Sequence, residues 1–162
     1  MRILTPVVAA MALMAVCSTG EATAARPHAA AASAPRYPAS GLPVVPLSVV
    51  HKGQIHAFQV EVARTDAEQE RGLMFRTAMG ANEGMIFPMS PPRPASFWMR
   101  NTVLPLDILF IGPDHRVLNI AANAVPYSET PLYSAGPVSA VLELNGGRAA
   151  QLGIVSGDKV RW

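Results

Sequence analysis

The chain has 162 residues, of which 50% are apolar and 15% charged, and its 13 Lys plus Arg stand against 11 Asp plus Glu for a net charge of +2. That is material for one core, which excludes most multidomain arrangements. The basic residues are scattered singly, without the runs that neutralise a phosphate backbone, so the composition argues against nucleic acid as a partner.

The N-terminus reads as an export leader. Arg2 supplies a positive start, Ile3 to Val16 are almost entirely apolar, and Ala22-Thr23-Ala24 offers a small-x-small cleavage site, which predicts a signal peptide over residues 1–24. The apolar run is shorter than the roughly 20 residues a spanning helix needs, and no later stretch approaches that length, so no transmembrane segment is expected in the mature chain. Cys17 ends the run and raises a lipoprotein alternative, but Val16 occupies the place where lipid attachment sites usually carry a small residue. Cleavage after Ala24 removes the one cysteine, and disulfide, zinc-thiolate and thiol-nucleophile chemistry leave with it. The expected location is periplasmic or secreted.

Residues 25–41, rich in Ala and Pro and without apolar periodicity, are expected to form an extended spacer in which His28 is solvated. Residues 42–162 are then a single β-rich domain. Leu47 to His51 and Ile55 to Ala63 flank Lys52-Gly53-Gln54 as a hairpin, with Phe58, Val60 and Val62 on one face and Gln59 and Glu61 on the other. Thr65-Asp66-Ala67-Glu68 is a capping box for a short helix that Gly72 can end. Met85 to Met89, Phe97 to Thr102, Leu106 to Ile111, Val117 to Val125 and Val138 to Leu144 are strand-like runs separated by Pro, Gly or Asp turns. Such a series predicts a mainly β fold, a jelly-roll-like sandwich or small barrel with one or two short helices. Near the C-terminus, Gly157-Asp158 has the form of a turn before a strand, with Asp158 in a structural role as acceptor for the turn's amides.

The chain carries Arg71-Gly72-Leu73-Met74-Phe75-Arg76, then Gly84-Met85-Ile86-Phe87, then Phe97-Trp98-Met99-Arg100-Asn101-Thr102 with Pro105-Leu106-Asp107-Ile108. With Val141-Leu142-Glu143-Leu144, Gly153-Ile154 and Gly157-Asp158 further on, these segments in this order resemble the DUF192 domain family over about residues 60–162. The resemblance implies a mostly β domain resembling a jelly roll or barrel, and no reaction. Arg100 stands where the family often has Lys, which keeps the charge and changes the hydrogen-bond geometry.

The candidate ligand-binding residues are Arg71, Asn101, Asp107, Glu143 and Trp98. Asp107 interrupts a strand that is apolar on both faces, so it needs a partner, and Arg71 at the end of the short helix is the expected one. A purely structural Arg-Asp pair accounts for the same pattern. Glu143 falls opposite Val138, Ala140, Leu142 and Leu144 in a period of two, which leaves it solvated. Trp98, beside the stiff Ser90-Pro91-Pro92-Arg93-Pro94 loop, offers a stacking surface for a sugar or planar group, although a place in the core explains it more simply. Met74, Met79, Met85, Met89 and Met99 could supply thioethers to Cu(I), but each has apolar company and reads as core filler. His51, His56 and His115 are too dispersed for a ligand set, so neither metal nor cofactor is expected. No G-x-S-x-G, H-E-x-x-H, Walker or dinucleotide motif is present. The reading that follows is an exported binding or accessory module of the cell envelope, with a small-molecule or saccharide ligand. A small hydrolase acting on an envelope sugar or ester through Asp107 and Glu143 is the alternative.

Overall fold

A computed structural model describes residues 40–162. The expected leader, Cys17, His28 and the spacer up to residue 39 lie outside the described residues. The elements, in chain order, are β1 (Val44–His51), β2 (Gln54–Val62), α1 (Asp66–Arg71), β3 (Glu83–Arg93), β4 (Ser96–Phe97) and β5 (Leu106–Ile111). They continue with β6 (Val117–Ala124), β7 (Leu132–Tyr133), β8 (Val138–Asn145), α2 (Arg148–Leu152) and β9 (Lys159–Arg161). The fold is mainly β, as the turn-separated runs predict.

Local chemistry sets the first elements. The β1–β2 hairpin turns on Lys52 and Gly53, whose φ values of 46° and 83° place both in the left-handed region that matches the twist of a two-residue hairpin. Thr65 caps α1: its hydroxyl accepts from the Glu68 amide while the Glu68 carboxylate accepts from the Thr65 and Arg64 amides. Those two amides, Thr65 first, hold the Glu68 carboxyl below its ordinary pKa. Gly72, with φ of 43°, ends the helix.

Seven strands form one sheet in the order β6-β5-β8-β3-β2-β1-β9, antiparallel except for the parallel β2–β3 pair. The two edges meet. Lys159 of β9 bridges Arg116, the residue before β6, and the Val117 and Val160 amides donate to Asp158 and His115 carbonyls. The sheet thus curls into a small barrel.

Two cores result, one on each side of the wall. Leu47, Val49, Phe58, Val60, Leu109, Leu142 and Val160 fill the interior, and Ala149 and Ile154 from α2 and the following turn pack there too. Met85, Phe87, Ile108, Phe110 and Val141 point outward from the same strands, and Leu73, Ala95 and Met99 cover them. Strand β5 is buried along its whole length because its alternate residues serve the two cores. A separate two-stranded ribbon, β4 with β7, lies on the outer face, where Phe97 meets Phe87 and Phe110 edge-on at centroid distances of 5.1 and 6.2 Å. Each such pair adds about 0.5–1.5 kcal/mol beyond burial, which fixes the ribbon on the barrel.

Phe97 to Thr102 is not one strand. Only Ser96 and Phe97 pair, and the chain then turns, with the Thr102 amide donating to the Met99 carbonyl at 3.0 Å and Asn101 at φ of 55°. Asparagine tolerates that left-handed conformation, and a strand cannot continue through it.

Candidate functional site

The outer-face core is incompletely covered, and the opening is a cleft of about 1010 Å³. One wall is the last turn of α1 and the residues after it, Arg71 to Met74. The other is Arg93 to Trp98, with Arg100 to Thr102 closing one side and Glu143 of β8 among the lining residues.

Each wall is held by its own sequence. After Gly72 the buried Leu73 anchors the chain, and Phe75 takes a left-handed φ of 62°, rare for a bulky side chain. The Phe75 amide donates to the Asn101 carbonyl at 2.8 Å, and the Asn101 side-chain amide lies 3.8 Å from Met74 Sδ. The two left-handed residues therefore meet, and strained backbone of this kind concentrates at ligand sites. On the opposite wall Met99 and Thr102 are buried while Trp98 and Arg100 face out. Trp98 is 48% exposed, not a core residue, with the Arg100 guanidinium 5.6 Å from its ring centroid.

Glu143 lies in a cross-strand row, Glu61–Met85–Glu143–Ile108, on the outward face. It is buried, at 5% exposure, rather than solvated. The period-two argument fails because β8 is a central strand and both of its faces are covered; Val141, outward like Glu143, is buried as well. Among the described residues the Glu143 carboxyl has no hydrogen-bond or ion-pair partner, and burial alone pushes its pKa up to about 8. Burial thus favours the protonated acid at neutral pH. Two strands away, about 10 Å across the sheet, Glu61 is the opposite case. Arg76 grips its carboxylate with both terminal nitrogens at 2.6 and 2.9 Å, and Ser40 also donates to it.

Arg71, Asn101, Trp98 and Glu143 therefore share one cleft, and Asp107 does not. Asp107 sits beside Ile108 with its side chain on the inner face, where its carboxylate accepts from the amides of Asn123, Gly147 and Ala149 at 2.8, 2.9 and 2.8 Å. Three amides satisfy it, so it needs no arginine. Arg71, exposed on the other side of the wall, is not its partner. The same separation keeps Asp107 and Glu143 from acting together on one substrate, since they pair with Leu144 and Ile108 and face opposite sides.

Arg93 and Arg100 also line the cleft, residues that sequence reasoning did not place in the site. Arg93 lies within the proline loop and Arg100 two residues after Trp98. Of the methionines, Met85, Met89 and Met99 are buried and fill the outer core, while Met74 and Met79 are half-buried. Asp158 accepts from the Val155 amide at 2.8 Å, as a turn residue should, and lies 2.9 Å from His51 Nδ1, which ties β1 to the turn before β9.

A family model described as DUF192, uncharacterized ACR, matches residues 47–162. The crystal structure of a protein of unknown function from Novosphingobium aromaticivorans is similar at 63% identity and a TM-score of 0.77, over 81% of this chain and 94% of that one. A second crystal structure, of a Sinorhizobium meliloti protein described as a proposed transcription regulator, is similar at 40% identity and a TM-score of 0.73, over 74% and 94% of the two chains. No curated protein matches the chain.

Proposed function

The chain belongs to the DUF192 family, and from that premise we propose that it is an exported binding module of the cell envelope, holding a small molecule such as a saccharide in the cleft beside Glu143. The observation that carries this reading is the carboxyl itself. An acid buried without a partner costs stability that a packed apolar side chain would not, and the cleft in front of it supplies the place where a ligand's polar group would satisfy it. Trp98 and the Arg100 guanidinium beside it give a half-exposed flat surface at the same opening, suited to stacking against a sugar ring. Export rests on the sequence: a positive start, an apolar run and an Ala-x-Ala site.

Trp98 and Trp162 are the two tryptophans of the chain. In a Trp162→Phe protein, Trp98 fluorescence reports on the cleft, and a panel of sugars, sugar acids and planar heterocycles is expected to contain compounds that change it saturably. A flat response to the whole panel overturns the reading. Intact mass of the exported protein is expected to start at Ala25; a species retaining Cys17 with added acyl mass would place it on a lipid anchor instead.

A further inference from the structure

Resting on the cleft as a binding site, the charges around it narrow the chemistry of what it takes. Arg71, Arg93 and Arg100 line the cleft against one exposed carboxylate, Glu70. Arg71 and Arg93 form no ion pair among the described residues, and Arg100 meets an indole rather than an acid. Guanidinium groups without an acid partner at the mouth of a partly apolar cleft attract an anion and repel an amine.

The groups that face Glu143 do not alter this. From β3 and β5 it meets Met85 and Ile108, neither titratable. Beyond Met85, Glu61 is already neutralised by Arg76. From α1 and the loops the charged groups lining the cleft are Glu70, Arg71, Arg93 and Arg100. Burial with no ion-pair partner favours the neutral acid, which presents an O–H to the cleft and does not repel an anion.

We infer that the cleft takes an acidic saccharide, a ring whose carboxylate meets the guanidinium groups at the mouth while one of its oxygens accepts a hydrogen bond from Glu143. An aminated or cationic ligand is disfavoured by the arginines, and a neutral sugar forgoes their contribution. The ring itself supplies the flat face that Trp98 can meet.

Trp98 fluorescence in the Trp162→Phe protein tests this with matched pairs: galacturonate against galactose and galactosamine, glucuronate against glucose and glucosamine. At about pH 6 the acid of at least one series is expected to bind roughly tenfold more tightly than its neutral counterpart, the amine most weakly. Between about pH 6 and 9.5 the acid's affinity should fall by roughly tenfold or more as Glu143 ionises, because a charged Glu143 loses its donor and repels the ligand. Glu143→Gln, which retains a donor and cannot ionise, should remove that fall. Neutral or amino sugars binding as tightly as the acids would overturn the inference and leave the binding site standing. A pH-dependent fall that survives in Glu143→Gln would remove Glu143 from the ligand's contacts. Silence from every sugar, with a response to the planar heterocycles, would replace the saccharide class altogether; silence from all compounds would take the binding site with it.

Discussion

Replacing Glu143 by Gln should stabilise the protein at neutral pH and not at acid pH. The carboxyl titrates at 4.5 when unfolded and at about 8 when folded, so between those values the folded state holds a proton that the unfolded state has released. Stability contributed by the protonated form is therefore complete below about pH 4.5, falls as pH rises through the window, and levels off above about pH 8. At pH 7 the shift spans some 2.5 pH units, which at about 1.4 kcal/mol each gives a loss of about 3 kcal/mol relative to pH 4. Glutamine has the same shape and no titration, so its own packing contribution is the same at both pH values and cancels in the comparison. Urea denaturation of both proteins from about pH 4 to 8.5 reads the difference directly. The two stability curves should diverge by about 3 kcal/mol between pH 4 and pH 7, with the variant the more stable relative to wild type at the higher pH. Parallel curves would mean that Glu143 ionises as freely in the folded protein as in the unfolded chain, and the argument for an unsatisfied acid in the cleft would fail.

The remaining expectations concern the framework that holds the cleft. Asp107→Ala removes the acceptor for three amides and should cost about 2–4 kcal/mol, whereas Arg71→Met should stay within about 0.5 kcal/mol and add to it without coupling in a double-mutant cycle. Arg76→Met strands the buried Glu61 carboxylate and should cost about 3–5 kcal/mol by chemical denaturation; a loss under about 1 kcal/mol would show that the pair is solvated. Gly84→Ala places a Cβ 2.4 Å from the Glu143 carbonyl oxygen and 2.9 Å from Leu144 Cδ2, so β8 must shift; the expected loss is about 1–3 kcal/mol, read as a lower melting temperature.

Much of the fold was legible because the signals were local. The Lys52-Gly53 turn, the Thr65 box and the doubly apolar Leu106 to Ile111 run each specify their own conformation, and the structure places β1–β2, α1 and β5 there. The site was legible in its members and not in its pairings. Asp107 did require partners, but those partners are backbone amides of Asn123 in β6, of the Gly146-Gly147 turn and of the first turn of α2, an element of five residues with no side-chain cap to announce it. Backbone donors carry no residue identity, so the sequence points to a complementary side chain, Arg71, instead. Glu143 was misplaced for a related reason. Alternation says which residues share a face, and only tertiary structure says whether that face is covered; here Val141 on the same side was the available hint. Trp98 went the other way: burial of a large aromatic is a fair expectation, but strand pairing ends at Phe97 and the chain turns through the left-handed Asn101, with Trp98 48% exposed between them.

The central claim, that the cleft at Glu143 is where a ligand is held, is tested most directly by mapping amide and side-chain shifts in NMR titrations with the sugars, sugar acids and planar heterocycles of the panel. The account predicts saturable changes centred on Arg71, Trp98, Asn101 and Glu143, with little change at Asp107 across the wall or at the His51–Asp158 contact. Saturable changes centred on Asp107 or His51, or none in the residues lining the cleft, would contradict it.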